Sequence, residues 1–420
     1  MVYRCIRIFT VILGCFSTWT QADEFAVEFS GFASLAVSYS DDPDIDFRSN
    51  YLNDEKAGWS IDRDSILGGQ VNISLAQEWD SVVQVVLQDR EIKDFSNYLE
   101  LAFVRYRPNR NWSVRGGRIN SDMYLLSEYP SVGYAYLWAR PPHEHYAFAS
   151  TVSHYDGFDV EYSSDVNEGY LRVKLAAAQT EPKLGALNQD FSIKFNNILT
   201  LSTTYVKDAW TFRASTSKAD IREFKSDQFS SLINALNAIP PSLWSQAADY
   251  AQGFDAKNKN INYSALGLAY DNFDWLFQAE IGTVNSDWLI SPSNYTGYVS
   301  LGYRIGELTY FASLSVAKNK NAKPQVAPPE LPSYLPEEIR LATLQLVEGT
   351  DIASKRAIVD QYSFNIGAKW YFSNNLVIKA QIDHFVLQPI GGGLWDMAAQ
   401  TDVASKHQIN LFSLSGSVVF

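Results

Sequence analysis

From Phe25 onward the chain alternates with a period of two, and it does so for longer than a globular strand requires. Phe25, Val27, Phe29, Gly31, Ala33, Leu35, Val37 and Tyr39 share one parity. Ala26, Glu28, Ser30, Phe32, Ser34, Ala36, Ser38 and Ser40 share the other. Successive side chains of a strand point to opposite faces, so this is a strand with one apolar face and one mostly small, polar face. Globular strands usually run to about five or six residues, whereas a strand crossing a bilayer needs about ten. The same alternation returns at 67–75, 83–87, 210–214, 275–281, 295–305, 362–370 and 376–382. A soluble sandwich also alternates, but it hides its apolar face.

Aromatic placement and loop lengths separate the two. Trp79, Trp112, Tyr205, Trp210, Trp275, Tyr303, Tyr310, Trp370 and Phe372 sit beside short connections, where an interfacial girdle of a membrane barrel lies. Short connections are expected at 77–80, 108–111, 165–169, 207–209, 272–274, 306–307 and 373–375, and long ones at 41–64, 119–157, 221–259 and 319–360. Short periplasmic turns opposite long outer loops are the asymmetry of outer-membrane barrels. The expected fold is therefore all-β: a transmembrane antiparallel β-barrel of sixteen strands, or eighteen if 154–157 is also a tight turn. Helical spacing in the outer loops predicts short helices at 231–239, 242–251 and 336–347.

The start of the chain predicts export. Arg4 and Arg7 precede an apolar stretch over 6–16, followed by Thr20-Gln21-Ala22. A basic start, a short apolar core and a small-residue site describe a signal peptide over 1–22, cleaved after Ala22. That leaves a barrel domain over 23–420. The alternative is a loose lipobox ending at Cys15. Cys5 and Cys15 are the two cysteines of the sequence; a chain cut after Ala22 has no disulfide, thiolate metal site or cysteine nucleophile. The formal net charge of -13 argues against a nucleic-acid partner. Mean hydropathy is only -0.17, as expected when alternate residues alone face lipid.

The final segment places Phe412, Leu414, Gly416, Val418 and Phe420 on one parity, opposed by Ser413, Ser415 and Ser417. It resembles the C-terminal signal read by the barrel assembly machinery of the outer membrane. The whole chain from 23 to 420 resembles the general porins of Gram-negative bacteria in architecture. The likeness is sharpest over 97–165, with Tyr98-Leu99-Glu100-Leu101-Ala102-Phe103-Val104-Arg105-Tyr106, Arg115-Gly116-Gly117-Arg118 and Gly133-Tyr134-Ala135-Tyr136-Leu137-Trp138-Ala139-Arg140-Pro141-Pro142. The resemblance implies an outer-membrane channel for passive diffusion of small hydrophilic solutes and ions, assembled as a homotrimer and surrounded by outer-membrane lipids. The small outward residues Gly31 and Ala33 suit close packing between copies. The resemblance also makes Arg118 the strand-end arginine and 119–157 a third loop folded into the pore. This loop departs from the family in being rich in aromatics and proline and poor in carboxylates.

A pore requires a polar lumen, a constriction and fields that orient solutes. Basic residues on the lumen parity are Arg115 or Arg118, Arg172, Lys174, Arg213, Arg304, Lys369 and Lys379. Asp122, Glu128 and Glu144 are the loop acids, with Arg140 among them. They either set a transverse field across the eyelet or are solvated lumen charges. Tyr134, Tyr136, Trp138 and Tyr146 either stack sugars or pack the loop against the wall. His143-Glu144-His145 offers two metal ligands with no evident third. Asp42, Asp44 and Asp46 have a calcium-like spacing but lack the loop glycine and closing glutamate. No cofactor is expected and no enzyme: nucleotide-loop, Gly-x-Ser-x-Gly and zinc-protease motifs do not occur, and the adjacent Asp383 and His384 face opposite ways on a strand. The competing functional classes are a substrate-selective channel, an adhesive barrel and an outer-membrane enzyme.

Overall fold

The computed structural model describes residues 25–50, 52, 57–149, 151–186, 189–321, 325–397 and 401–420. The expected signal peptide over 1–22 lies outside them. Sixteen long strands follow one another around a closed wall. The first four are β1 (Ala26–Ser40), β2 (Ile66–Ala76), β3 (Trp79–Gln88) and β4 (Leu99–Tyr106). Next come β5 (Trp112–Asn120), β6 (His154–Val166), β7 (Gly169–Thr180) and β8 (Gln189–Lys207). The third group is β9 (Trp210–Lys225), β10 (Asn260–Asp271), β11 (Trp275–Ser286) and β12 (Asn294–Ile305). The last is β13 (Leu308–Asn319), β14 (Val359–Ser373), β15 (Leu376–Gly392) and β16 (His407–Val419). The hydrogen-bonded order holds eighteen segments, but two of them, Trp59–Ser60 and Lys183–Ala186, are short loop pieces laid along β1 and β8. Ala33 of β1 stands opposite Leu67 of β2 and Val418 of β16, so the sheet closes. Closure matters because lipid offers no partner to an unpaired backbone edge.

The two parities take the two faces expected of them. Leu35, Phe29 and Ile281 are exposed on the outside, whereas Ser34, Ser38, Ser415 and Ser417 are buried within. The tight turns lie at one end. Val166 pairs with Gly169 across Asn167 and Glu168, both at positive φ, and Lys207 pairs with Trp210 across Asp208 at φ 51°. At that same end Trp79 stacks on Tyr106 at 4.5 Å, and tilted ring pairs join Trp112 to Tyr162 at 4.9 Å, Trp210 to Tyr270 at 4.6 Å and Trp275 to Tyr303 at 4.5 Å. Each such pair adds about 0.5–1.5 kcal/mol beyond its buried area, and together they form the expected belt.

Three expectations are corrected. The eighteen-strand alternative fails because 154–157 is not a turn: Asn120 pairs with His154 and Arg118 with Asp156. For the same reason the third loop spans 121–153 rather than 119–157. The loop helices also shift. They run over Asp227–Ala238 (α1), Ala247–Phe254 (α2) and Glu337–Arg356 (α3). Pro240 and Pro241 hold the chain in turns before α2. The long helix extends well past 347 because its charges favour both ends, with Glu337 and Glu338 in the first turn and Lys355 and Arg356 in the last.

The final residue seals the wall. Phe420 exchanges backbone hydrogen bonds with Gly31 at 2.7 and 2.9 Å, and its ring lies over the place a Gly31 side chain would occupy. Gly31 is thus covered by its own chain rather than open to a neighbouring copy. Deleting Phe420 or replacing Gly31 with Val should lower the fraction that runs as a folded, heat-modifiable band in outer-membrane preparations. A normal band in both variants would contradict this role for the seam.

Candidate pore constriction

The loop over 121–153 crosses the barrel interior instead of standing above it. Its own apolar residues explain why. Met123, Tyr124, Leu126, Tyr136, Leu137, Trp138 and Tyr146 are buried in one cluster with Tyr263, Ala265, Tyr298 and Phe311 of the wall. Polar anchors fix it to strand after strand. Leu125 donates its backbone N–H to Glu280 of β11 at 2.9 Å, and Tyr146 and Tyr298 both donate hydroxyls to that carboxylate. Trp138 donates its indole N–H to Ser300 and Ser313 at 3.0 and 2.9 Å. Lys379 donates to the carbonyls of Gly133, Tyr136 and Trp138, and Lys369 to those of Tyr134 and Tyr136. Tyr134 donates its hydroxyl to the carbonyl of Asn374, in the tight turn between β14 and β15. At the far wall Gly133 touches Ser34 and Ser417, where a Cβ would come within 2.6 Å of the Ser34 hydroxyl. All four aromatics proposed as a sugar surface therefore hold the loop in place.

The charged residues expected from sequence are placed in several different settings. On one wall, Asp122 meets Arg213 at 2.5 Å and Lys174 at 3.3 Å, and Glu128 meets Arg172 at 2.5 Å. These are closed ion pairs, with no gap between acid and base. Burial opposes ionisation of Asp122, but Lys174 and Arg213 outweigh it and hold the carboxyl well below its ordinary range. Arg115 faces inward and binds Asp159. Lys369 and Lys379 serve the loop backbone, and Glu144 is held by neutral groups, Gln361 at 2.8 Å, Ser363 at 2.9 Å and Ser315. Arg304 lies at the turn end, bound to Asp271 at 2.7 Å and to the carbonyl of Asn272.

Arg118 is the clear correction. It stands opposite Ala102 and pairs with Asp156 at 2.8 Å, on the parity of the outward Phe158 and Val104. Arg115 and Arg118 are three positions apart, so a regular strand cannot point both inward. Arg118→Ala should leave the reversal potential of the channel at its wild-type value, measured in a salt gradient. A shift toward cation preference would return Arg118 to the pore.

The open space lies on the other side of the loop. A cavity of about 110 Å³ runs between 124–146 and the wall of β1 to β4 and β16. Arg63, Arg90 and Arg140 line it, with Asp64 and Glu100. Arg140 binds Asp64 through Nε at 3.0 Å and also through a terminal nitrogen, and approaches Asp383 at 3.5 Å. Arg90 binds Glu100 at 3.1 Å, and Arg63 donates to Ser38 at 2.9 Å. Sequence pattern missed Arg63, Asp64, Arg90 and Glu100, because the first outer loop and the ends of β3 and β4 supply them. The two histidines of the possible metal pair go to different walls. His143 packs among Phe47, Phe385 and Trp395 and bonds the carbonyl of Arg48 at 2.9 Å, whereas His145 bonds Thr296 at 3.0 Å. Burial and nearby Arg140 push the His143 imidazole down to about 3, so it adds no charge at neutral pH. Among the described residues, no three His, Cys, Asp or Glu side chains converge on a metal site. Asp383 points into the lumen beside Gln381, and His384 bonds Asn410 on the opposite face.

A closed sixteen-stranded wall with a loop folded into its lumen defines a porin barrel. Solved structures agree. OmpT of Vibrio cholerae aligns over 96% of this chain and 100% of its own, with TM-score 0.51 and 11% identity. OmpF of Salmonella typhi, solved in complex with daunomycin, aligns over 96% and 99%, with TM-score 0.53 and 10% identity. The outer-membrane channel DcaP of Acinetobacter baumannii aligns over 96% and 100%, with TM-score 0.53 and 12% identity. No protein-family model matches the chain, and no curated protein matches it in sequence. The chain has the fold of the outer-membrane porins of Gram-negative bacteria.

Proposed function

We propose that the protein is a passive channel for small hydrophilic solutes and ions across the outer membrane, narrowed by the loop over 121–153. One observation carries this reading: a polar, charge-lined cavity persists between the wall and a loop whose apolar residues fill the middle of the lumen. Its lining holds three guanidinium groups and two carboxylates, which favours anions over cations in the narrow part. The wall does no chemistry on a solute in this account. Its charges orient ions, and the loop sets the size limit. Liposomes carrying the purified barrel should swell in isosmotic monosaccharide and much more slowly in a trisaccharide. Equal rates for both sugars would contradict a size limit set by the loop.

The chain is also proposed to reach the membrane through the assembly machinery and to assemble as a homotrimer. With Gly31 covered, the support moves to the outer end of β1 and the first loop, where the apolar side chains of Leu35, Trp59 and Ile61 are exposed. Native mass spectrometry in mild detergent should show three copies; a pure monomer would overturn this.

A further inference from the structure

The lumen changes character toward the outer mouth. In its central part the wall follows the polar-inside rule, with Ser202, Thr204, Arg213, Ser215 and Glu280 facing in. Further out on β8 to β11 the inward residues are Ile198 and Phe195 of β8, Ala219 and Ile221 of β9, Ile261 of β10 and Val284 of β11. The register makes them one patch, for Phe195 stands opposite Ile221 and Ala219 opposite Ile261. The patch is not simply filled by loops. A cavity of about 300 Å³ remains against it, closed on another side by Trp288 and Phe229.

The cavity also has a polar end. Strand pairing in the mouth sets Phe47 against Trp395 and Asp46 against Asp396. Arg48, Asp396 and Arg356 line that end, and Asp396 binds Arg356, at the end of α3, at 3.0 Å. The charged lining residues are thus two guanidinium groups and one carboxylate. The floor is Met123 and Val152 of the inward loop. Their chain neighbours Tyr124 and Ser153 line the polar cavity on the other side of the loop.

From this arrangement we propose that the outer vestibule is a binding site for an amphiphilic solute, with an aromatic or alicyclic body and one anionic end. An apolar wall with a few convergent polar groups is the usual make-up of a small-molecule site. Water gains little from such a wall, so a solute with an apolar body displaces it. The excess of guanidinium over carboxylate selects an anion at the other end. The inference deepens the channel reading by naming a solute class, and it rests on that reading only for entry from outside.

The probe is 2-naphthoate, compared with acetate and glucose at equal concentration. Added at the outer-loop side of single channels in planar bilayers, 2-naphthoate should reduce the open current in a saturable way, because the cavity floor adjoins the passage. Acetate and glucose should give no saturable block. Ala219→Phe, which fills the cavity, and the pair Phe195→Asn with Ile261→Asn should each raise the half-blocking concentration tenfold or more, referred to each variant's own open current. Quenching of tryptophan fluorescence by 2-naphthoate supplies a readout independent of conductance, and Ala219→Phe should abolish its saturable part. A conducting wild type on which 2-naphthoate acts no differently from acetate would overturn the site. So would block and quenching that survive both variants. A protein that binds 2-naphthoate saturably but passes no current would instead contradict the channel reading and leave the site standing.

Discussion

Removing residues 125–149 and joining the ends with a short Gly-Ser linker should raise single-channel conductance several-fold. The wall does not depend on that segment for closure, since every strand from β1 to β16 is paired on both sides by its neighbours. What the deletion removes is the buried cluster around Trp138 and the backbone carbonyls bonded by Lys369 and Lys379. Asp122 and its ion pairs remain, so the start of the loop stays attached to β9. The central lumen then opens to its full section. The measurement is current at fixed voltage and salt, on protein shown to be folded by its heat-modifiable band. Conductance at or below the wild-type value would mean that the segment does not obstruct the pore.

The second large effect is expected from Arg140→Ala. Its side chain is 6% exposed and joins Asp64, from the first outer loop, to Asp383 of β15. Removing one partner of a buried pair leaves an uncompensated charge and costs on the order of 3–5 kcal/mol. Thermal unfolding should fall accordingly. Selectivity should move as well. The passage lining goes from three guanidinium groups against two carboxylates to two against two, so the reversal potential shifts toward cations. Arg140→Lys restores the charge but not the two-nitrogen contact with Asp64, so it should recover selectivity more fully than stability. A reversal potential unchanged in Arg140→Ala would remove Arg140 from the constriction.

Particular residues show how far the sequence could carry this account. Alternation in 25–40 separated lipid from lumen because the period of a strand is two, whatever surrounds it. Aromatics beside the tight turns marked one membrane boundary, since both the turn and the belt are local features. Parity reported the face of a residue but neither its depth nor its position around the wall. That is why Arg172, Lys174 and Arg213 were read as open-pore charges, although the structure closes them on Asp122 and Glu128. The same limit hid Arg63 and Arg90, which lie in loops outside the alternating strands. Arg118 is different, because its odd separation from Arg115 already placed the two on opposite faces. Glu280 of β11 binds the loop at Leu125 and Tyr146. An acid held by a loop more than a hundred residues away leaves no local mark.

The most direct test of the central claim is reconstitution of the full protein in planar lipid bilayers. Discrete, ohmic current steps are expected in potassium chloride, with a reversal potential on the anion side in a salt gradient. The same protein should show a folded, heat-modifiable band. A folded barrel that gives no steps across a wide range of voltage and protein concentration would contradict a passive channel and make the inward loop a plug.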